Sequence, residues 1–107
     1  MVRVTVAYPA KEGATFDHDY YATKHMPLCA EKYAPYLKKM QAFKGVAGPA
    51  GSPAPFLATC HFWFDSMGDM GKALANSEAI MADIPNYTSV QPRVVIEEAL
   101  PLAVTVG

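Results

Sequence analysis

The segment Phe16–Leu28 reads Phe-Asp-His-Asp-Tyr-Tyr-Ala-Thr-Lys-His-Met-Pro-Leu and gathers most of the side chains that could do chemistry near neutral pH. His25 is foremost, because histidine alone has an unperturbed pKa close to physiological pH. Residues four apart share a helix face, so Asp17, Tyr21, His25 and Cys29 would form one stripe and Phe16 and Tyr20 an adjacent one. The chemistry this supports is general acid/base catalysis by His25, with Tyr20 and Tyr21 hydrogen-bonding a carbonyl or hydroxyl of a ligand. The same residues also suit plain packing, with Phe16, Tyr20 and Leu28 in the core and His25 capping nearby carbonyls. Spacing leaves both readings open.

The other reactive side chains are scattered. His18 stands between two aspartates at the start of the expected helix and reads as solvated. His61 lies in the middle of the most apolar segment, where its ring nitrogens need partners. It suits either a cavity lining or an interface, and Trp63 beside it suits interface packing. Cys29 and Cys60 form no CxxC and no close Cys/His pair, and no HxH or HExxH occurs, so no metal is expected. Cys29 reads as a buried thiol. No glycine-rich phosphate cradle and no GxSxG elbow is present, so neither a nucleotide cofactor nor a serine hydrolase is indicated.

Alternating valines at 2, 4 and 6, then Tyr8, predict a first strand, with Arg3, Thr5 and Ala7 on its other face. Thr15 is the expected cap of a helix from Phe16, with Asp17 and Asp19 favourable in its first turn. Pro27 either kinks that helix or sits in the first turn of a new one. Helix formers continue over 28–39, disturbed by Pro35. Gln41 to Ala47 suits a second strand, and the Gly/Pro-rich stretch 48–55 a loop. Phe56 to Phe64 is the strongest strand, with Phe56, Ala58, Cys60, Phe62 and Phe64 on one face and Leu57, Thr59, His61 and Trp63 on the other. Ser66 with Asp69 resembles a capping box, and Ser77 opens a short helix that stops before Pro85. Arg93 to Ala99 is a fourth strand, and 104–106 a short terminal one.

The order is β-α-β-β-α-β, the ferredoxin-like α+β arrangement with a four-stranded antiparallel sheet and both helices on one face. The bare face is too apolar in its middle for water. A second copy would cover it, giving an isologous homodimer in which Arg3, Arg93 and Glu97 could pair.

With 107 residues the chain is expected to be a single domain, 1–107. Hydrophobic residues are 51% and charged residues 18%, a balance that folds rather than stays disordered. A net charge of −1 with no basic run beyond Lys38-Lys39 argues against nucleic acid. No apolar run approaches the roughly 20 residues of a membrane span. The N-terminus lacks the layout of a signal peptide, so a cytoplasmic location with reduced thiols is expected.

Phe16, Tyr20, Tyr21, His25, Pro27 and Leu28 together resemble the F-x-x-x-[YW]-[YW]-x-x-x-H-x-P-L signature of the EthD family, named for ethyl tert-butyl ether degradation. The resemblance extends over most of the chain, with tyrosine at Tyr21 where tryptophan is frequent. It implies a dimeric α+β barrel, in which two sheets pack face to face. It further implies a small hydrophobic organic ligand, no cofactor, and a link to a cytochrome P450-type oxidoreductase system. His25, with Tyr20 and Tyr21, is the catalytic set it favours. The alternative is a non-catalytic dimeric module that binds or delivers a metabolite.

Overall fold

Alternation of apolar and polar residues builds the sheet first. The computed structural model describes all 107 residues. Strands β1 (Val2–Pro9), β2 (Leu37–Lys44), β3 (Phe56–Phe64) and β4 (Arg93–Glu98) form one antiparallel sheet in the order β2-β3-β1-β4. This is the expected ferredoxin-like α+β fold. Central β3 is also the most apolar strand. Its alternation divides as expected: Ala58, Cys60, Phe62 and Phe64 are buried, whereas Leu57, Thr59, His61 and Trp63 are half-buried on the far face. Val2, Val4 and Tyr8 of β1 join the buried side.

The helical layer covers that side with α1 (His18–Tyr20), α2 (Met26–Tyr33), α3 (Met67–Leu74) and α4 (Glu78–Asp83). Asp17, not Thr15, caps α1: its carboxylate accepts the Tyr20 N–H at 3.0 Å. Aspartate caps as well as threonine, and Asp17 stands directly before the first helical residue, where Thr15 lies two positions too early. Between α1 and α2 the chain is π-wound over Tyr21–His25, where Met26 N–H bonds the Tyr21 carbonyl. Pro27 lies in the first turn of α2, so the helix restarts as one of the two options foresaw. The wider turn makes room for a proline ring that would strike the preceding carbonyl of a regular helix.

Three boundaries differ from the sequence expectation. Helix α2 stops at Tyr33, because Ala34 precedes a proline and takes an extended conformation (ψ 146°). Strand β2 therefore starts at Leu37 rather than Gln41 and ends at Lys44. Residues 104–106 form no strand; Leu100, Leu102, Val104 and Val106 are all exposed. The Ser66 cap is as expected, accepting the Asp69 N–H at 3.1 Å. Gly45 follows β2 where a side chain could not: a Cβ there would run into the Phe56 carbonyl.

The molecule measures 39 × 38 × 19 Å, a slab of two layers with one sheet face uncovered. On that face the Arg3–Glu97 pair forms within the chain, Nε to Oε1 at 2.9 Å across β1 and β4, and Arg93 takes no part. Thr5 donates its hydroxyl proton to Glu97 and accepts from His61 Nδ1 at 2.8 Å, so that ring nitrogen is paired within its own sheet, and His61 lies outside the cavity lined by His25. Lys39 and Arg3 flank the Trp63 ring at 4.8 and 5.6 Å. No helix is long and apolar enough to cross a membrane.

Candidate functional site

The π-wound turn delivers His25 to the seam between the helices and the sheet. The side chain is buried (3% exposed) yet lines an apolar cavity of about 240 Å³. Val4, Val6 and Tyr8 form its floor from β1, Cys60 and Phe62 from β3, and α4 closes it with Ile80 and Met81. Exposed Gln91 and Val94 stand where it meets solvent. The volume lies just below the roughly 300–1,000 Å³ of ordinary small-molecule sites.

Both ring nitrogens of His25 are engaged. Nδ1 is 2.9 Å from Asp83 Oδ2, and Nε2 is 3.2 Å from the Tyr87 hydroxyl. Asp83 is held as a carboxylate. Desolvation pushes its carboxyl up, but the donors Tyr20 (2.6 Å), Asn86 (2.9 Å) and His25 together outweigh that and keep it below its usual range. A carboxylate only accepts, so the proton sits on His25 Nδ1. Burial lowers the His25 pKa against the opposing pull of Asp83. In the neutral ring Nε2 is then an acceptor, and the Tyr87 hydroxyl donates to it. Tyr87 in turn meets the Tyr8 hydroxyl at 2.5 Å. Burial raises the pKa of both phenols, which stay protonated. The result is an imidazole whose tautomer is set by a carboxylate from another helix, an arrangement in which an added proton would have its charge stabilised.

The three residues singled out by sequence take different places. His25 faces the cavity. Tyr20 is outside it and clamps Asp83. Tyr21 is buried with its ring stacked on His25 at 5.5 Å; its hydroxyl has no hydrogen-bond partner and does not line the cavity. The hydroxyls that meet the histidine network are those of Tyr87 and Tyr8. Sequence spacing missed Asp83, Tyr87 and Tyr8 because each comes from a distant element. The one sequence signal was Tyr8 closing the inward face of β1. His18 is half-buried rather than freely solvated: its Nε2 lies 2.9 Å from the Leu57 carbonyl, and its ring rests on Phe16 at 4.6 Å. Cys29 and Cys60 are free and buried, and burial pushes their thiols up to about 12 and about 11, so neither is a ready nucleophile. No three His, Cys, Asp or Glu side chains gather as metal ligands.

The EthD-domain family model matches residues 12–91, a span that holds both His25 and Asp83. This chain belongs to the EthD family. An uncharacterized 11.0 kDa protein in the thcB–thcC intergenic region of Rhodococcus erythropolis is 34% identical over 93 residues, covering 83% of this chain and 85% of that protein. An EthD-like protein from Ralstonia eutropha JMP134 superimposes with a TM-score of 0.85 at 39% identity, over 91% of this chain and 89% of that one. SnoaB, a cofactor-independent oxygenase from Streptomyces nogalater, shares the fold at 8% identity, with a TM-score of 0.59 over 95% and 94% of the two chains. EthD membership and this fold fit a small-molecule enzyme or binding module.

Proposed function

We propose that this EthD protein is a small-molecule enzyme that moves a proton on a neutral organic compound held between its helices and its sheet. His25 is the base, and Asp83, itself clamped by Tyr20, is its positioning residue. The observation that carries this reading is the His25–Asp83 pair at 2.9 Å on the wall of an apolar cavity. Apart from His25, the cavity lining carries no titratable acid or base with a pKa near neutrality, and no Arg or Lys. An anionic ligand would therefore lose its water without gaining a counter-charge. A library of small neutral and anionic organics screened by thermal shift tests this: the melting temperature should rise with concentration for neutral members. Stabilisation by carboxylates alone would refute it.

A second reading has its own support. Both nitrogens of His25 are satisfied inside the protein, as they would be in a non-catalytic carrier. Turnover of a stabilising ligand by the wild type separates the two.

The proposal includes a homodimer. Half of Phe43 and Val95 is exposed on the uncovered sheet face, around the half-buried Leu57 and Trp63, and no element of the chain covers them. A matching face of a second copy would remove that area from water. Sedimentation across a dilution series should give a dimer that dissociates only at low concentration. A folded monomer at every concentration would exclude it.

A further inference from the structure

With both nitrogens of His25 engaged, the imidazole has no free atom to meet a ligand, and the nearest open polar atom must be sought along its hydrogen bonds. Asp83 fixes the direction of that chain. Nδ1–H donates to Asp83, Nε2 accepts from Tyr87, and the Tyr87 oxygen accepts from Tyr8 at 2.5 Å. Every proton points toward Asp83. The Tyr8 hydroxyl proton is thereby used, and its oxygen has a second lone pair, for which a ligand competes with the buried Tyr21 hydroxyl, a donor that has no hydrogen bond of its own. Tyr8 lines the cavity beside His25, and Tyr87 bridges the two from behind the wall. An open acceptor in an apolar chamber selects a donor, because a buried polar group left unpaired is costly.

We infer that the cavity takes a neutral hydroxyl compound, a phenol or an enol, whose O–H donates to the Tyr8 oxygen, and that Tyr8 and Tyr87 relay its proton to His25. This rests on His25 as the base proposed above and supplies the substrate class and the atom that touches it. The step balances. The ligand O–H bond breaks and its proton goes to Tyr8. The Tyr8 proton passes to Tyr87, and the Tyr87 proton to His25 Nε2. An oxyanion and an imidazolium are left, the latter facing the Asp83 carboxylate, and no electron leaves the ligand. Tyr8 is then a catalytic residue and Tyr87 the relay. The cavity of about 240 Å³ suits a single ring.

The test uses para-nitrophenol, whose ionisation is visible by absorbance, and its methyl ether para-nitroanisole, which has the same ring but no proton to donate. The wild type should bind the phenol about tenfold more tightly than the ether, the worth of one buried hydrogen bond. Tyr8→Phe should erase that preference while keeping its melting transition, since the ring still packs against Phe16 at 5.1 Å. Tyr87→Phe should keep the bound probe but lower its ionised fraction about tenfold relative to wild type. Equal affinity for phenol and ether, or a preference that survives Tyr8→Phe, overturns the inference. An unchanged ionised fraction in Tyr87→Phe overturns the relay. A wild type that shows both effects yet turns over no substrate would support this inference and remove only the catalytic reading.

Discussion

His25→Gln should lower kcat/KM by about 10²–10⁴-fold on whatever neutral substrate the wild type turns over, the usual contribution of one positioned acid/base. Glutamine keeps a polar side chain in the wall but cannot carry the proton. Asp83→Asn should fall in between, because the imidazole remains but the group that sets its tautomer no longer only accepts. The pH profile gives the sharper check. Burial holds the His25 pKa below its ordinary value near 6.5, with Asp83 pulling upward against it. A base must be unprotonated to act, so the acid limb of kcat/KM should lie below that value in the wild type. Removing the Asp83 carboxylate should move the limb further to acid. NMR titration of the imidazole should show the same midpoint and the same displacement. A limb at or above the ordinary histidine value would exclude His25 as the base. The same two groups make the fold acid-sensitive. The unfolded chain protonates its histidine first, so stability declines as pH falls from about 6.5 through the folded His25 pKa. Asp83, held as a carboxylate in the fold, adds a second loss as pH falls through its own lowered pKa.

Phe64→Ala should lower stability by about 3–5 kcal/mol, the cost of deleting a large side chain and leaving a cavity behind. A domain of this size is held by only about 5–15 kcal/mol, so much of the margin would go. Phe64 is fully buried, ends the inward face of β3 and packs its ring against Tyr33 at 6.2 Å. Phe43→Ala provides the contrast. The residue is 52% exposed at the rim of the sheet, with its ring edge-on to His61 at 5.8 Å, so the isolated chain should lose far less. Urea titration of both variants checks the difference. Equal losses would mean that the two sheet faces do not divide as described.

That division was legible in the sequence. A strand sends successive side chains to opposite faces, so Phe56 to Phe64 declares its two sides without reference to anything distant. The element order followed, because each strand and helix signal is local. The boundaries differ where a second local rule competes: the residue before Pro35 leaves the helical region, and Asp17 is as good a cap as Thr15. The site was legible only in part. Helical spacing and the family signature both singled out His25. They also singled out Tyr20 and Tyr21, whose hydroxyls go to Asp83 and to a partnerless burial rather than into the cavity.

The sequence by itself determined the two-layer fold, the uncovered sheet face and His25 as the residue to watch, since each rests on periodicity or on the type of one side chain. Only the tertiary structure decided what His25 does with its two nitrogens. Asp83 and Tyr87 stand 58 and 62 positions away in the chain and Tyr8 lies on β1, so no spacing rule links them. The sheet brings Tyr8 beneath the π-wound turn, and α4 with the turn after it brings Asp83 and Tyr87 from above. A tautomer and the direction of a hydrogen-bond chain belong to the contact among these elements and to none of them alone.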